Sequence, residues 1–384
     1  MTSRGRILRN ERPVEGVGEP AAPPDALRFH RKLAGYAPTP LVEAPEIASR
    51  LGIRHLWVKD ETIRFGLPSF KFLGASWGTY RALDAHVGGL GAWDTLDDLR
   101  RELAPRLPLS LSAATDGNHG RAVSRFARML GLDARVYVPA GTATARIEAI
   151  ESEGATCEVV EGTYGDAVAR SAEDAGPRCL VISDTSWPGY EDVPRWIIEG
   201  YSTIFHEVDE QLADARAVGP DLVVIQIGVG ALAAAAATHY RPAGLATRPK
   251  LVGVEPESAA CMLASVEAGR IVEVPGPHPS IMVGLNCDRP SLVAFPVVSR
   301  SFDLFVTVTD EQAEESMRIL AELPLEVGET GGAGLAGLLR LAQLDPDGGG
   351  GDVRASVEAA SALVIVTEGV TDPDGYGRAM ARRS

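Results

Sequence analysis

One lysine sits where local physics works against its charge. Lys71 lies in LPSFKFLGASWG, residues 67–78, inside an apolar, small-residue run that reads as the start of a helix. Ser69 is placed to cap that helix, and Gly74 and Ala75 would let it pack close to a sheet. A cation is favoured at the other end of a helix, where the macrodipole is negative. Phe70 and Phe72 flank the ammonium. An amine in that setting gives up its proton more readily, which suits nucleophilic or Schiff-base chemistry. The plainer alternative is a lysine that snorkels to the surface, and its apolar neighbours weigh against it.

Four further stretches carry polar or glycine residues directly after apolar runs. ATDGNHG, residues 114–120, places Asp116, Asn118 and His119 among two glycines. Such a turn can present backbone N–H groups to an anion, or can be an Asx turn with a helix cap. QIGVGALAA, residues 226–234, sets Gly228 and Gly230 before an alanine-rich helix, which lets backbone approach a phosphate. Gly228 to Ala233 also fits the G-x-G-x-x-G/A dinucleotide pattern. Glu255 ends the next apolar run near where a ribose-binding acid belongs. A nicotinamide-dependent dehydrogenase therefore stands as a rival, and a glycine turn that merely packs helix on strand as another. VTEGVTDPDGY, residues 366–376, offers Thr367 and Glu368 to a ligand or forms a polar turn. SDTSWPGYEDVPRW, residues 183–196, puts Asp184 after the run CLVIS, as a helix cap or a site residue.

These stretches need elements to hold them. LSLSAAT with RAVSRFARML, ARVYVP with TARIEAIESEG, and DLVVIQI with ALAAAAATHY read as strand–turn–helix units. KLVGVE and ALVIVT are further short β-branched runs, and GETGGAG at 328–334 opens another small-residue helix. Repeated βα units with uninterrupted apolar strands predict an α/β fold, parallel sheets covered by helices on both faces. Ligands of such sheets bind at the carboxyl ends of strands, where all these stretches fall, so they are expected to surround one crevice. Residues 11–26 read as an arm and 345–352 as a surface loop.

The 384 residues allow two domains. A net charge of −15 argues against nucleic-acid and anionic-membrane partners. No membrane span and no secretory signal are expected. Four cysteines without a CxxC fit a reducing cytoplasm; a Cys261–Cys287 pair stays open. His119 is the one histidine in a site-like turn. The other six are scattered along the chain, so no metal site is expected.

A phosphate cradle together with an unusual lysine points to pyridoxal phosphate. The sequence resembles the fold-type II pyridoxal-phosphate enzymes (tryptophan synthase β-like), and among them the diaminopropionate ammonia-lyases. RFGLPSFKFLGA, ATDGNHGRAV, DTSWPGYEDVPRWIIEGY, QIGVGALA and IMVGLNC look like that family's segments, in the same order, from PTPL at 38–41 to TDPDGY at 371–376. DTSWPGY and the aspartate of TDGNHG separate it from the serine and threonine dehydratases.

The resemblance implies the following roles. Lys71 would carry the cofactor on its amine and act as base at the substrate Cα. Thr115, Gly117, Asn118 and His119 would lie by the cofactor and the substrate carboxylate, with Asn118 near the ring's phenolic oxygen. Gly228, Val229, Gly230, Ala231 and Leu232 would cradle the phosphate, and Thr367 would face the pyridine nitrogen. Asp116 would be a second base or a partner of the substrate's β-amine, assisted by Asp184. The implied reaction is α,β-elimination of 2,3-diaminopropionate to pyruvate and ammonia, in a cytoplasmic homodimer acting on a small amino acid. Residues 1–107 and 188–384 would form the large domain, and 108–187 a small mobile domain that closes over substrate.

Some residues depart from the family. Val366 and Val370 stand where relatives have a small hydroxyl residue and an aspartate, and GETGGAG replaces a more usual E-S-G-A pattern. These departures leave room for β-replacement, or for dehydration of serine, threonine or another β-substituted alanine.

Overall fold

The apolar runs become strands whose burial follows their place in a sheet. The computed structural model describes residues 5–11, 25–115, 117–242, 248–344, 351–358 and 360–381. Asp116, most of the expected arm and residues 345–350 of the expected loop lie outside the described residues. Gly351 opens a helix, Gly351–Val357. The strands are β1 (Ile7–Arg9), β2 (Leu41–Glu43), β3 (His55–Asp60), β4 (Ser110–Ala114), β5 (Asp133–Pro139) and β6 (Thr156–Val160). They continue with β7 (Cys179–Val181), β8 (Leu222–Gln226), β9 (Lys250–Pro256), β10 (Leu304–Val308) and β11 (Ser361–Val366).

The chain divides into two units. The first takes in Pro38–Ile63 and Ile204–Ser384 with the N-terminal stretch; the second takes in Pro24–Ala37 and Arg64–Thr203. Residues 108–187 fall inside the second unit, which also holds 64–107 and 188–203.

The first unit is built on a seven-stranded sheet in the order β1-β10-β9-β8-β11-β3-β2. Its five central strands run parallel, and the edge strands β1 and β2 pair antiparallel. Every residue of β8 and β11 is buried, as strands covered on both faces must be. The chain builds outward from β8 through β9 to β10, then returns to lay β11 on the other side of β8. The sheet thus changes direction between β8 and β11, and the segments that follow them, from Gly228 and from Thr367, leave adjacent carboxyl ends.

The second unit repeats the principle on a smaller scale. Its four strands are all parallel, in the order β6-β5-β4-β7. The direction changes between β4 and β7, so the ATDGNHG turn and the SDTSW turn leave neighbouring strand ends. The helix after the first turn is Asn118–Leu130, three residues earlier than the Arg121 start read from sequence.

Two local expectations are corrected. The helix carrying the lysine is Lys71–Val87, with Phe70 at its N-cap position and no side-chain cap. Ser69 lies one residue outside that position, so the helix begins one residue later than a Ser69 cap requires. Gly74 serves a helix contact instead of a sheet contact. A Cβ on Gly74 would lie 2.5 Å from the Tyr201 ring, and one on Gly200 would lie 2.6 Å from the Leu73 carbonyl oxygen and 2.8 Å from Gly74 Cα. Helix Lys71–Val87 therefore packs against helix Asp192–Asp214 with backbone almost touching backbone. Gly200→Ala meets main-chain atoms that have nowhere to move, and should lower stability by about 1–3 kcal/mol in denaturant unfolding. An unchanged unfolding midpoint would show that the helices are further apart.

Candidate active site

In the second unit the sequence-expected residues converge. Lys71 is the first residue of its helix, and its Nζ donates to Asp184 Oδ2 at 2.7 Å. Asp184 follows β7 by three residues and its side chain is almost fully buried, whereas that of Lys71 is 23% exposed. Tyr164 donates its hydroxyl to Asp184 Oδ1 at 3.2 Å. His119 Nε2 donates to the Ile182 carbonyl at 2.7 Å, which fixes the tautomer, since a carbonyl only accepts. His119 Nδ1 then points its lone pair towards Asp184 Oδ2 at 4.0 Å and has no hydrogen-bond partner.

The electrostatics follow from these contacts. Burial alone would raise the Asp184 carboxyl. The Lys71 charge and the hydrogen bonds from Lys71 and Tyr164 overcome it and hold the group ionised, below the ordinary carboxylate range. Burial lowers the His119 pKa; Asp184 opposes that shift and Lys71 reinforces it, so the ring is neutral. The result is a carboxylate, an ammonium and a neutral imidazole with one unused lone pair.

Local structure holds these groups still. Tyr190 donates its hydroxyl to the Val181 carbonyl at 2.7 Å and accepts from Ser183 N at 2.9 Å, which pins the turn carrying Asp184. Trp187 stacks on Tyr190 with centroids 4.1 Å apart. Thr115 Oγ1 accepts from Gly117 N at 2.9 Å, and Gly117 at φ +147° turns the chain into the helix that begins at Asn118. Thr115 and His119 are buried.

The first unit holds the other expected residues. Gly228, Val229 and Gly230 follow β8 and lead into helix Ala231–Tyr240, which has no side-chain cap. Gly230 sits at φ +100°, and a Cβ there would lie 2.6 Å from Met262 Cε. A Cβ on Gly228 would lie 2.9 Å from the Gly284 carbonyl oxygen. Ala231 and Leu232 fill the first turn, whose N–H groups need an outside acceptor. After β11, the Thr367 hydroxyl accepts from Gln226 Nε2 at 2.8 Å, which leaves its own proton to donate. These features fit pyridoxal phosphate: a bare helix N-terminus for the phosphate, and a hydroxyl donor suited to an unprotonated ring nitrogen.

The dinucleotide reading fails on Glu255. Its carboxylate accepts from Met262 N at 2.7 Å and Leu263 N at 2.8 Å and is buried, so it caps helix Cys261–Ala268 and is not offered to a ribose. Burial pushes its pKa up to about 8, against the pull of those two N–H groups. No disulfide joins any two of the four cysteines, Cys261 and Cys287 included.

Three contributors escape a sequence reading. Tyr164 opens helix Tyr164–Ala172, and the Thr163–Asp166 capping box marks that start, but nothing local links it to Asp184. Tyr201 is fully buried with its ring 4.7 Å from that of Phe70; burial raises its phenol pKa and the Lys71 charge opposes this. Gln226, the last residue of β8, holds Thr367.

The two mainly parallel sheets, and the features each unit carries by itself, are those of a pyridoxal-phosphate-dependent enzyme of fold type II. The family described as pyridoxal-phosphate dependent enzyme matches residues 32–354. Within that class the chain belongs to the family of the diaminopropionate ammonia-lyases. It is 35% identical over 369 residues to the diaminopropionate ammonia-lyase of Salmonella typhimurium, covering 92% of this chain and 90% of that one. The Escherichia coli diaminopropionate ammonia-lyase, solved in complex with an aminoacrylate-PLP azomethine reaction intermediate, superposes with a TM-score of 0.87 at 31% identity, covering 98% and 96% of the chains. Threonine deaminase isoform 2 of Solanum lycopersicum shares the fold at 20% identity, with a TM-score of 0.73 over 98% and 99% of the chains.

Two outcomes are expected. The lowered Asp184 pKa contributes stability that is present above about pH 4 and lost as pH falls towards the folded-state value. In the cofactor-free protein, Asp184→Asn should cost about 1–3 kcal/mol at pH 7, less than a fully buried broken pair because Lys71 is partly exposed. Urea unfolding should show that difference shrinking below pH 4; a constant difference down to pH 3 would contradict the ion pair. Gly230→Ala forces a side chain into the left-handed region at about 1–2 kcal/mol. It should weaken pyridoxal phosphate uptake by about tenfold in fluorescence titration of the cofactor-free protein.

Proposed function

We propose that this chain catalyses α,β-elimination of 2,3-diaminopropionate to pyruvate and ammonia. The observation that carries the reading is the buried, ionised Asp184 paired with Lys71 at 2.7 Å, in a chain 35% identical to a diaminopropionate ammonia-lyase. Pyridoxal phosphate, when bound, supplies an aldehyde that condenses with amines and a ring that takes up the electron pair left at the substrate Cα.

The chain's own residues supply the rest. Lys71 holds the cofactor and takes the Cα proton. The β-amino group is a poor leaving group unless it departs protonated, and a carboxylate beside it favours the ammonium. Asp184 serves that role, with Tyr164 keeping its second oxygen oriented. Asp116 belongs to the same reading as the second acid–base group, able to serve the opposite enantiomer. The unused His119 lone pair accepts from a substrate N–H, and Thr115, Gly117 and Asn118 line the turn beside it. Gly228 to Leu232 receive the phosphate through backbone N–H groups, and Thr367 donates to the ring nitrogen. A hydroxyl substrate would not need a carboxylate held ionised at this position, which favours the diamine over serine or threonine.

A homodimer and a cytoplasmic location complete the reading, supported by the family resemblance and by four cysteines that form no disulfide. Among the described residues no helix is long and apolar enough to cross a membrane.

The test compares substrates and maps the lysine. Pyruvate release from 2,3-diaminopropionate should exceed that from serine and threonine by at least about 100-fold in kcat/KM, some 2.7 kcal/mol of transition-state preference. Borohydride should fix a pyridoxyl mass on the peptide carrying Lys71, and Lys71→Ala should abolish both adduct and turnover. Faster release from serine or threonine would overturn the substrate assignment. A wild-type protein that forms no adduct with added cofactor would overturn the cofactor chemistry.

A further inference from the structure

Two histidines separated by 33 positions, His206 and His239, meet within the first unit on facing helices. His206 and Asp209 lie three residues apart on helix Asp192–Asp214 and so share a face. His239 is the penultimate residue of helix Ala231–Tyr240. Each of the three offers one ligand atom, and those atoms all lie within 4.8 Å of one another. His239 Nε2 and Asp209 Oδ2 are 2.9 Å apart, and the two imidazole rings meet edge to face with centroids 5.0 Å apart.

We propose that His206, Asp209 and His239 form a binding site for one divalent transition-metal ion, which ties these two helices together. Bonds of about 2.1 Å place neighbouring donor atoms about 3.0–3.4 Å apart around such an ion. The Asp209–His239 spacing of 2.9 Å is just below that range, and rotation of the exposed Asp209 carboxylate and the half-buried His206 ring adjusts it and closes the remainder. Two imidazoles and one carboxylate select zinc, nickel, cobalt or copper over magnesium or calcium, which take oxygen ligands.

The surroundings are those of a ligand site. Among the described residues the His206 ring has no hydrogen bond to protein, so its nitrogens are uncommitted. Burial, with His239 beside it, lowers its pKa and keeps it in the neutral form that binds metals; Asp209 and Glu210 act the other way. Phe205 and Tyr240 wall the site, with ring centroids 5.7 and 4.7 Å from that of His239. Asp209 opens to solvent and leaves a position for water. Without a metal, the same residues make one helix-to-helix hydrogen bond with an idle histidine beside it, and added metal would then leave stability unchanged.

The site lies at the C-terminal end of the helix whose N-terminus follows Gly228 to Gly230. A clamp there fixes the helix without touching a ligand at its other end. The proposal is independent of the reaction, because it requires only the folded first unit.

The experiment uses the pyridoxal-phosphate-loaded full chain, stripped of metal with a chelator and then titrated with zinc. One zinc ion per chain should bind, with a rise of a few degrees in Tm at saturating zinc. Cobalt should give visible absorption bands that zinc displaces. His206→Gln and, separately, the exposed Asp209→Asn should each lose the Tm rise and weaken zinc binding by at least about tenfold, with pyruvate formation retained. Stoichiometric binding that survives in both variants would place the metal elsewhere, on the cysteines, and overturn the proposal. Absence of zinc binding to the wild type would overturn it equally. Should His206→Gln fail to fold, Asp209→Asn alone decides between these outcomes.

Discussion

The ion pair between Lys71 and Asp184 is the contact on which the rest of the second unit depends. A lysine at the first residue of a helix, beside the positive end of the dipole and between two phenylalanines, is costly to charge. A carboxylate buried at a strand end is costly to ionise. Each makes the other tolerable, provided they stay within hydrogen-bond distance. The Tyr190 hydroxyl pins the turn of Asp184, and the Gly74–Gly200 approach pins the helix of Lys71. Both charges are thus held ready, on elements that cannot drift apart.

Both sheets place their candidate site residues by the same rule. A parallel sheet that grows first to one side and then to the other leaves two adjacent strands whose following loops diverge. In the four-stranded sheet these are β4 and β7, and the loops carry His119 and Asp184. In the seven-stranded sheet they are β8 and β11, followed by Gly228 and Thr367. The hydrogen bonds from His119 to Ile182 and from Gln226 to Thr367 join each pair. A neutral hydroxyl held by an amide, with its proton left over, is a modest hydrogen-bond donor.

Much of this is legible in the residues themselves. The apolar runs become strands at nearly the positions expected, because strands covered on both faces carry no alternating pattern to misread. Lys71, His119, Asp184, Gly228 and Thr367 stand out because each lies beside an apolar run and breaks its chemistry. The failures have physical causes too. Ser69 looks like a cap because capping preference is local, whereas the helix starts at Lys71 and puts Phe70 at the cap position. Glu255 looks like a ribose acid because its distance from the glycines is right, yet its carboxylate is spent on two backbone N–H groups. Gly74 reads as a sheet contact because sequence shows that space is needed and never which neighbour needs it.

The sequence by itself determined the chemistry that is available: one misplaced lysine, a bare glycine-to-helix turn for an anion, and carboxylates at strand ends. Those follow from residue type and spacing along the chain, since dihedral preference, dipole and hydrophobicity are local properties. Tertiary structure decided who meets whom. Tyr164 reaches Asp184 across twenty positions, Tyr201 comes to lie over Phe70, and His206 finds His239, because strand order and helix packing bring together groups whose separation in sequence carries no signal.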